Sequence, residues 1–354
     1  MWISQIRVIG GLSTADDAHS TDLRGYCICI SAACADCSVH PAKVQFRSLM
    51  NPQSDSIRLI AGECNLCGST TVRELYTAKD RLRNTGEQFQ IVKCCGCAVL
   101  RTLPDMSEAE LTGYYPDDYW GGPEPSDKWI ADSQSDKTRF LSRCGLASGK
   151  ILDVGCGAGF FLRAIGPKSW DRYGVELSPA AAQVAERWLG SGHVFSGTLS
   201  QAKWAEASFD VVTFWSALEH TNEPRANLRE ARRIIKANGT LIVELPNVAS
   251  YQARFFGGDW FALDAPRHRY HFTLNTLDRL LSETGFQIYE KSYYSRAHNS
   301  HSLRQSLKTR LVSRDSGVLK RALFLLSIPL IKPFDWAMTA MGDGATLTVA
   351  ARAV

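Results

Sequence analysis

The stretch from Lys150 to Phe161, KILDVGCGAGFF, constrains this chain more than any other. An apolar run from Ile151 to Val154 carries Asp153 and falls into three glycines at alternate positions, Gly155, Gly157 and Gly159. Apolar residues resume at once at Phe160, Phe161 and Leu162. This order predicts a buried strand, a tight loop and the first turn of a helix, where free backbone N–H groups face a ligand. Twenty-three residues past Asp153, a second short strand, DRYGVE, ends at Glu176. A carboxylate there suits the two hydroxyls of a ribose, the geometry used by nucleotide-binding α/β sheets.

A dinucleotide loop, G-x-G-x-x-G, needs a small residue at its last position so that the helix packs closely and a pyrophosphate fits. Phe160 stands there. The loop therefore suits a nucleoside without a diphosphate better than NAD, which disfavours a nucleotide-sugar oxidoreductase. The plainer alternative is a turn in any α/β protein. Taken together, Asp153-x-Gly155-x-Gly157-x-Gly159 and Glu176 resemble the S-adenosylmethionine site of the class I methyltransferases.

At 354 residues the chain allows two or three domains with a sizeable core. A hydrophobic share of 45% against 21% charged is that of a soluble globular protein. The net charge of +4 is too small to predict nucleic-acid binding. Several of the eleven cysteines fall in C-x-x-C pairs, which favours reduced thiols and metal binding over disulfides. The N-terminus lacks the basic start and apolar core of a signal peptide, and no run reaches the roughly 18 apolar residues of a membrane span. The expected location is the cytoplasm.

Residues 1–49 carry no sustained period and read as disordered, with Met50 a candidate natural start. A second metal site on Cys27, Cys29, Cys34 and Cys37 is conceivable there. Further on, Cys64-Asn-Leu-Cys67 and, after 26 residues, Cys94-Cys-Gly-Cys97 form two knuckles. Four thiolates so spaced meet the tetrahedral demand of structural zinc and leave no open position for chemistry. The alternative is four buried, unligated cysteines. A thioredoxin-type pair is a poor rival, because neither pair follows a βαβ start. Cys95 reads as a bystander.

Next comes a Gly-, Pro- and acid-rich linker whose aromatics Tyr114, Tyr115, Tyr119 and Trp120 pack domains together or cover an acceptor site. A helix is expected over Ser135–Cys144, and from Lys150 strand and helix alternate as in a parallel sheet covered on both faces. Strand two ends at Glu176, and Ser178-Pro179 starts a helix that Gly190 stops. The short strand HVFSG and the apolar, hence central, strand Phe209–Trp215 follow. Asn222 and Pro224 open a helix ended by Asn238-Gly239, before a strand at Thr240–Leu245. A helix over Leu274–Thr284 and strands at Phe286–Tyr289 and Ala345–Ala350 complete seven.

The resemblance covers residues 60 to 354. It implies a seven-stranded, mostly parallel, Rossmann-like sheet with helices on both faces, preceded by a small zinc-ribbon-like β domain. The expected boundaries are a disordered extension over 1–55, a four-cysteine domain over 56–104, a linker over 105–134 and a methyltransferase domain over 135–354. Within the last, 247–272 and 292–340 are candidate acceptor-recognition segments. The resemblance further implies that backbone from Gly155 through Cys156, Gly157 and Gly159 to Phe160 meets the methionine portion, below Asp153, while Glu176 takes the ribose. Leu177, Thr198 and Leu199 stand where adenine would rest, and Trp215 and Ser216 line the floor. Where the family often has an acidic side chain after strand three, this chain has Gly197-Thr198-Leu199.

WSALEHTNEP and the following LREARRIIKANGTLIVELPN resemble segments of small-molecule methyltransferases, including those acting on quinone precursors and sugars. His220 falls beyond the sheet edge, in a side chain able to take up a proton near neutral pH; holding the loop is the equal alternative. Arg267, His268 and His271 follow Pro266, and His268 is a second candidate base or acceptor-orienting group, with loop packing the other reading. A metal on His268 and His271 lacks a third ligand nearby in sequence. From Ser302 to Asp335 seven basic residues face two acids around ALFLLSIPLI, so the stretch either packs on the core or rests on an anionic membrane. The expected activity is methyl transfer from S-adenosylmethionine to oxygen or carbon of a small-molecule, sugar or glycan-type acceptor. The rival is a non-catalytic, zinc-stabilised binding protein that keeps the fold. Oligomeric state is not readable.

Overall fold

The computed structural model describes residues 57–59, 63–83, 85–116, 125–312 and 317–354. Four strands come first: β1 (Ile57–Leu59), β2 (Thr71–Lys79), β3 (Gln88–Cys94) and β4 (Leu100–Leu103). Three helices follow: α1 (Glu108–Thr112), α2 (Asp127–Ser133) and α3 (Ser135–Arg143). The α/β alternation then runs β5 (Gly149–Val154), α4 (Phe160–Ile165), β6 (Trp170–Glu176), α5 (Pro179–Leu189), β7 (Val194–Ser196), β8 (Phe209–Trp215), α6 (Pro224–Ile234) and β9 (Ile235–Pro246). After these come α7 (Tyr251–Phe256), β10 (Tyr270–His271), α8 (Leu274–Glu283), β11 (Phe286–Ser292), α9 (Asn299–Leu311), α10 (Val318–Ala340) and β12 (Thr346–Ala353).

The larger sheet has the order β11-β12-β9-β8-β5-β6-β7. Its five strands from β7 to β9 are parallel, and β12 runs antiparallel between β9 and β11. The seven strands expected from the sequence are present, in a Rossmann-like arrangement. The chain order jumps at β5, with β6 on one side and β8 on the other, so a crevice opens at the carboxyl ends of these strands. β8, apolar from Val211 to Trp215 apart from Thr213, is covered on both faces, as a central strand must be.

Local chemistry sets the element ends. Ser178 accepts a hydrogen bond from the Ala181 N–H at the start of α5, Pro179 occupies the first turn, and Gly190 ends the helix. One boundary differs from the sequence reading. α6 ends at Ile234, and Ile235 already pairs with Phe209. Asn238, with φ of 63°, and Gly239 therefore make an irregularity inside β9 rather than ending a helix. Part of the 105–134 linker is also helical, since Ser107 and Glu110 form a reciprocal capping box that starts α1. The expectations placed on residues 1–55, on Tyr119 and on Trp120 lie outside the described residues.

The smaller sheet runs β1-β2-β3-β4-β10, so a strand from the 247–272 segment completes it. That segment fills the space between this sheet and the C-terminal helices. Trp260, Leu263 and Phe256 pack in one core with Phe89 and Ile91 of β3 and with Leu303 and Ile331 of α9 and α10. Within that segment, Gly257-Gly258 is pinned. The Gly258 carbonyl accepts from Arg81 Nη2 at 2.5 Å, and a side chain at 258 would come within 2.2 Å of the Thr77 carbonyl.

Candidate active site

All three loop glycines after β5 adopt left-handed backbone, with φ of 73° at Gly155, 54° at Gly157 and 77° at Gly159. Space imposes the choice at Gly155 as well, because a Cβ there would lie 2.7 Å from that of Ala217. The N–H groups of Gly155 and Cys156 both donate to the Val175 carbonyl, at 2.8 and 3.1 Å. Glu176 closes the loop from the other side. Its Oε2 accepts from the Gly157 N–H and its Oε1 from the Ser178 N–H, each at 2.8 Å. Burial raises its carboxyl above the ordinary range, against the pull of these backbone bonds. Asp153 is buried too and lifted by that burial to about 7, with the Thr213 hydroxyl donating to its Oδ1 at 2.8 Å.

Two buried carboxylates thus stand at the ends of neighbouring strands β5 and β6. A carboxylate offers about four acceptor sites, more than these two backbone bonds use, so Glu176 can also take a sugar hydroxyl. These residues fit a cationic nucleoside of the kind expected from the sequence. Leu177 is half exposed at the end of β6, and Thr198 follows β7, its N–H donating to Gln201 Oε1 at 2.9 Å. Ser216, with φ of 52°, donates its N–H to the Glu244 carbonyl at 2.9 Å, beside the buried Trp215. Two expected contacts change character. The Leu199 side chain lies in the main core, and the Cys156 side chain packs under β6 against Gly174, which leaves their backbone to meet a ligand. Phe160 packs edge-on against Trp129 of α2.

Just past β8 the two candidate histidines, far apart in sequence, meet. The rings of His220 and His268 are edge to face, with centroids 4.5 Å apart. Tyr115 Oη lies 3.1 Å from His220 Nδ1. His268 Nδ1 is 3.0 Å from the Ala262 carbonyl, so it carries the proton and Nε2 keeps its lone pair. That Nε2 faces Asp264 Oδ2 at 3.8 Å and Glu219 Oε1 at 4.0 Å. Burial lowers His220 to about 3, helped by His268, and lowers His268 to about 4. Both imidazoles are therefore neutral at pH 7. Burial raises Glu219 to about 8, and neither of its carboxyl oxygens has a hydrogen-bond partner. Asp264 stays ionised, because the Arg267 guanidinium outweighs the burial that would raise it.

Sequence reading found the two histidines but missed Asp264, whose role appears only through contact. His271 takes no part, because its Nε2 is bonded to Thr102 Oγ1 at 2.9 Å. Among the described residues, Glu219, His220 and His268 offer three ligand atoms within 4.8 Å of one another, a set also able to hold a divalent cation.

The four cysteines of the two knuckles converge as well. Cys64 and Cys97 sulfurs are 3.7 Å apart, those of Cys67 and Cys94 3.5 Å, and all four lie within 4.8 Å of one another. Thiolates at ~2.3 Å from a tetrahedral zinc stand ~3.8 Å apart, so the set fits that ion. Cys95 is exposed and outside the group. The knuckle braces the loop beyond His220. Asn65 Nδ2 donates to the Asn222 carbonyl at 3.0 Å, and Arg225 Nη2 donates to the Leu66 carbonyl at 2.6 Å.

A family model described as a methyltransferase domain matches residues 129–291. The ubiquinone biosynthesis O-methyltransferase of Pseudomonas aeruginosa is 30% identical over 161 residues, which are 43% of this chain and 69% of that protein. The protein of the same name from Xanthomonas oryzae pv. oryzae is 28% identical over 138 residues, 37% of this chain and 58% of that one. Among solved structures, a SAM-dependent methyltransferase from Archaeoglobus fulgidus is 17% identical with a TM-score of 0.43, covering 70% of this chain and 100% of that one.

Proposed function

Because the chain belongs to the class I S-adenosylmethionine-dependent methyltransferases, we propose that it methylates an oxygen or carbon of a small-molecule, sugar or glycan-type acceptor, with His268 as the base. The observation that carries this reading is the buried group at the end of β8, where His268 Nε2 faces Asp264 and the unpartnered Glu219. The relatives' shared name, an O-methyltransferase of ubiquinone biosynthesis, supports oxygen as the acceptor atom.

In this reading Glu176 grips the ribose, and the loop from Gly155 to Gly159 receives the methionine portion beside Asp153. The bound donor supplies a methyl on a sulfonium, already a good leaving group. The chain's own task is alignment of the acceptor behind that methyl, which is worth roughly 7–11 kcal/mol. His268 Nε2 takes the acceptor's proton, and ionised Asp264 stabilises the imidazolium that forms. His220, steered by Tyr115, packs against the base and fixes its plane. The Cys64, Cys67, Cys94 and Cys97 set holds a structural zinc that keeps the 219–225 segment in place.

A labelled-methyl screen of sugar, glycan and phenolic acceptors tests the reading, with wild type beside His268→Ala. Transfer to one class, cut by roughly 10²–10⁴-fold in the variant while donor binding persists, is the expected result. Full activity of His268→Ala would remove it from the reaction. Failure to bind the donor would favour the non-catalytic alternative.

A further inference from the structure

Among the described residues, nothing covers one apolar face of helix α10. Phe324, Ile331 and Asp335 recur along one side and are buried. Asp335 fixes that side to the body, accepting from Tyr251 Oη at 3.1 Å, Gln252 Nε2 at 3.2 Å and Ser300 Oγ at 3.0 Å. On the opposite side, at the three- and four-residue spacing of one helix face, stand Leu319, Leu323, Leu326, Leu330 and Phe334. They point outward, with Leu326 70% and Leu330 65% exposed, and Trp336 nearby at 68%. A soluble surface scatters such residues singly and does not line them up over about four turns.

The sequence reading found no apolar run long enough for a membrane, because Lys332 and two prolines interrupt this one. The helix nonetheless runs 23 residues through Pro329 and Pro333, and by length and composition it could cross a bilayer. Phe324, Ile331 and Asp335 tie one side of it to the protein, so in this fold it lies against the body. The charges at its margins choose the occupant. Lys320, Arg321 and Lys332 are exposed beside the apolar face, and Arg304 and Lys308 are exposed on neighbouring α9. Among the described residues from 299 to 341 the only acid is Asp335, which is buried. A second copy of this chain would bring that basic rim against its own kind, whereas an anionic lipid surface matches it.

We propose that α10 lies in the plane of an anionic bilayer, its outward face sunk into the headgroup–acyl boundary and its basic margin on lipid phosphates. This contact is independent of the acceptor and of the base.

The full chain is floated with vesicles of phosphatidylcholine mixed with phosphatidylglycerol, and with phosphatidylcholine alone. Flotation with the mixed vesicles is expected, weaker by about fivefold for each of Lys320→Gln and Arg321→Gln. Leu326→Glu with Leu330→Glu abolishes it. Both leucines are exposed, so the melting temperature of that variant stays at the wild-type value. Three outcomes overturn the proposal. The chain stays in the aqueous fraction with both vesicle types; it floats equally with phosphatidylcholine alone; or ultracentrifugation finds a dimer that the leucine pair dissolves, which assigns the face to a second copy.

Discussion

Arg267 Nη1 lies 2.9 Å from Asp80 Oδ1, and both side chains are fully buried. Asp80 belongs to the cysteine-bearing end of the chain and Arg267 to the segment that carries His268. The same guanidinium donates to Asp264 Oδ1 at 2.5 Å and to the Tyr114 carbonyl at 3.0 Å. One buried cation therefore holds the small sheet, the start of the linker and the wall of the candidate site together. Removing the cation leaves Asp80 and Asp264 without their partner in the interior, at a cost of about 3–5 kcal/mol. Arg267→Met is expected to lose that much in urea denaturation, and Asp80→Ala, which leaves the guanidinium on Asp264, less. Asp80→Leu with Arg267→Met, which removes one of the two stranded acids as well, is expected to lose less than Arg267→Met alone. Equal losses would show that the pair acts through packing only.

Glu176 gives the second prediction. It ties the glycine loop to the start of α5 and faces the space where a ribose would lie. Hydrogen bonds to a charged group contribute about 1.5–3 kcal/mol each. Glu176→Ala should therefore weaken S-adenosylmethionine binding about ten- to a hundredfold by titration calorimetry. Glu176→Gln, which keeps the shape but not the charge, should fall between. Unchanged donor affinity in both variants would move the cofactor away from this loop.

How much of this was legible beforehand follows from how local each feature is. The glycine loop and Glu176 sit within one strand–helix–strand unit, so short-range backbone rules sufficed. The two C-x-x-C pairs are separated by a single hairpin and were equally plain. By contrast, His268 and Glu219 come together only because β10, two residues long, joins a sheet that starts two hundred residues earlier. No periodicity marks a strand so short. Arg267 and Asp80 are 187 positions apart, and only packing puts them in contact. Asn238-Gly239 misled for a different reason. Its turn geometry was read correctly, but it bends a strand instead of closing a helix. The stretch around α10 was legible as a basic segment that packs on the core or meets a membrane, but the helix runs through two prolines that ordinarily break one, so its extent was not.

Zinc supplies the third prediction. Elemental analysis of the purified chain should find one zinc per molecule, absent in Cys64→Ser with Cys97→Ser and retained in Cys95→Ser. Chelation should lower the melting temperature. It should also reduce methyl transfer more than donor binding, because the knuckle braces Asn222 and Arg225 beside the candidate base and does not touch the glycine loop. Equal loss of both would mean that the metal supports the whole fold without preference.

The last prediction concerns acidity. His220, His268 and His271 are lowered by burial from 6.5 to about 3, 4 and 3. Between those values and 6.5 the unfolded chain binds the more protons, so each histidine adds stability as pH rises, fully present above 6.5. Glu219, raised from 4.5 to about 8, and Asp153, raised from 3.8 to about 7, act in the opposite sense. There the folded chain binds the more protons, and stability falls as pH climbs through the window. Each group contributes up to about 1.4 kcal/mol per pH unit. Single substitutions separate these contributions, in urea denaturation of the donor-free protein from pH 5 to 8. Glu219→Gln should make the slope of stability against pH more positive between 4.5 and 8, and His271→Gln should make it less positive below 6.5. A slope unchanged in Glu219→Gln would mean that Glu219 is ionised within the fold.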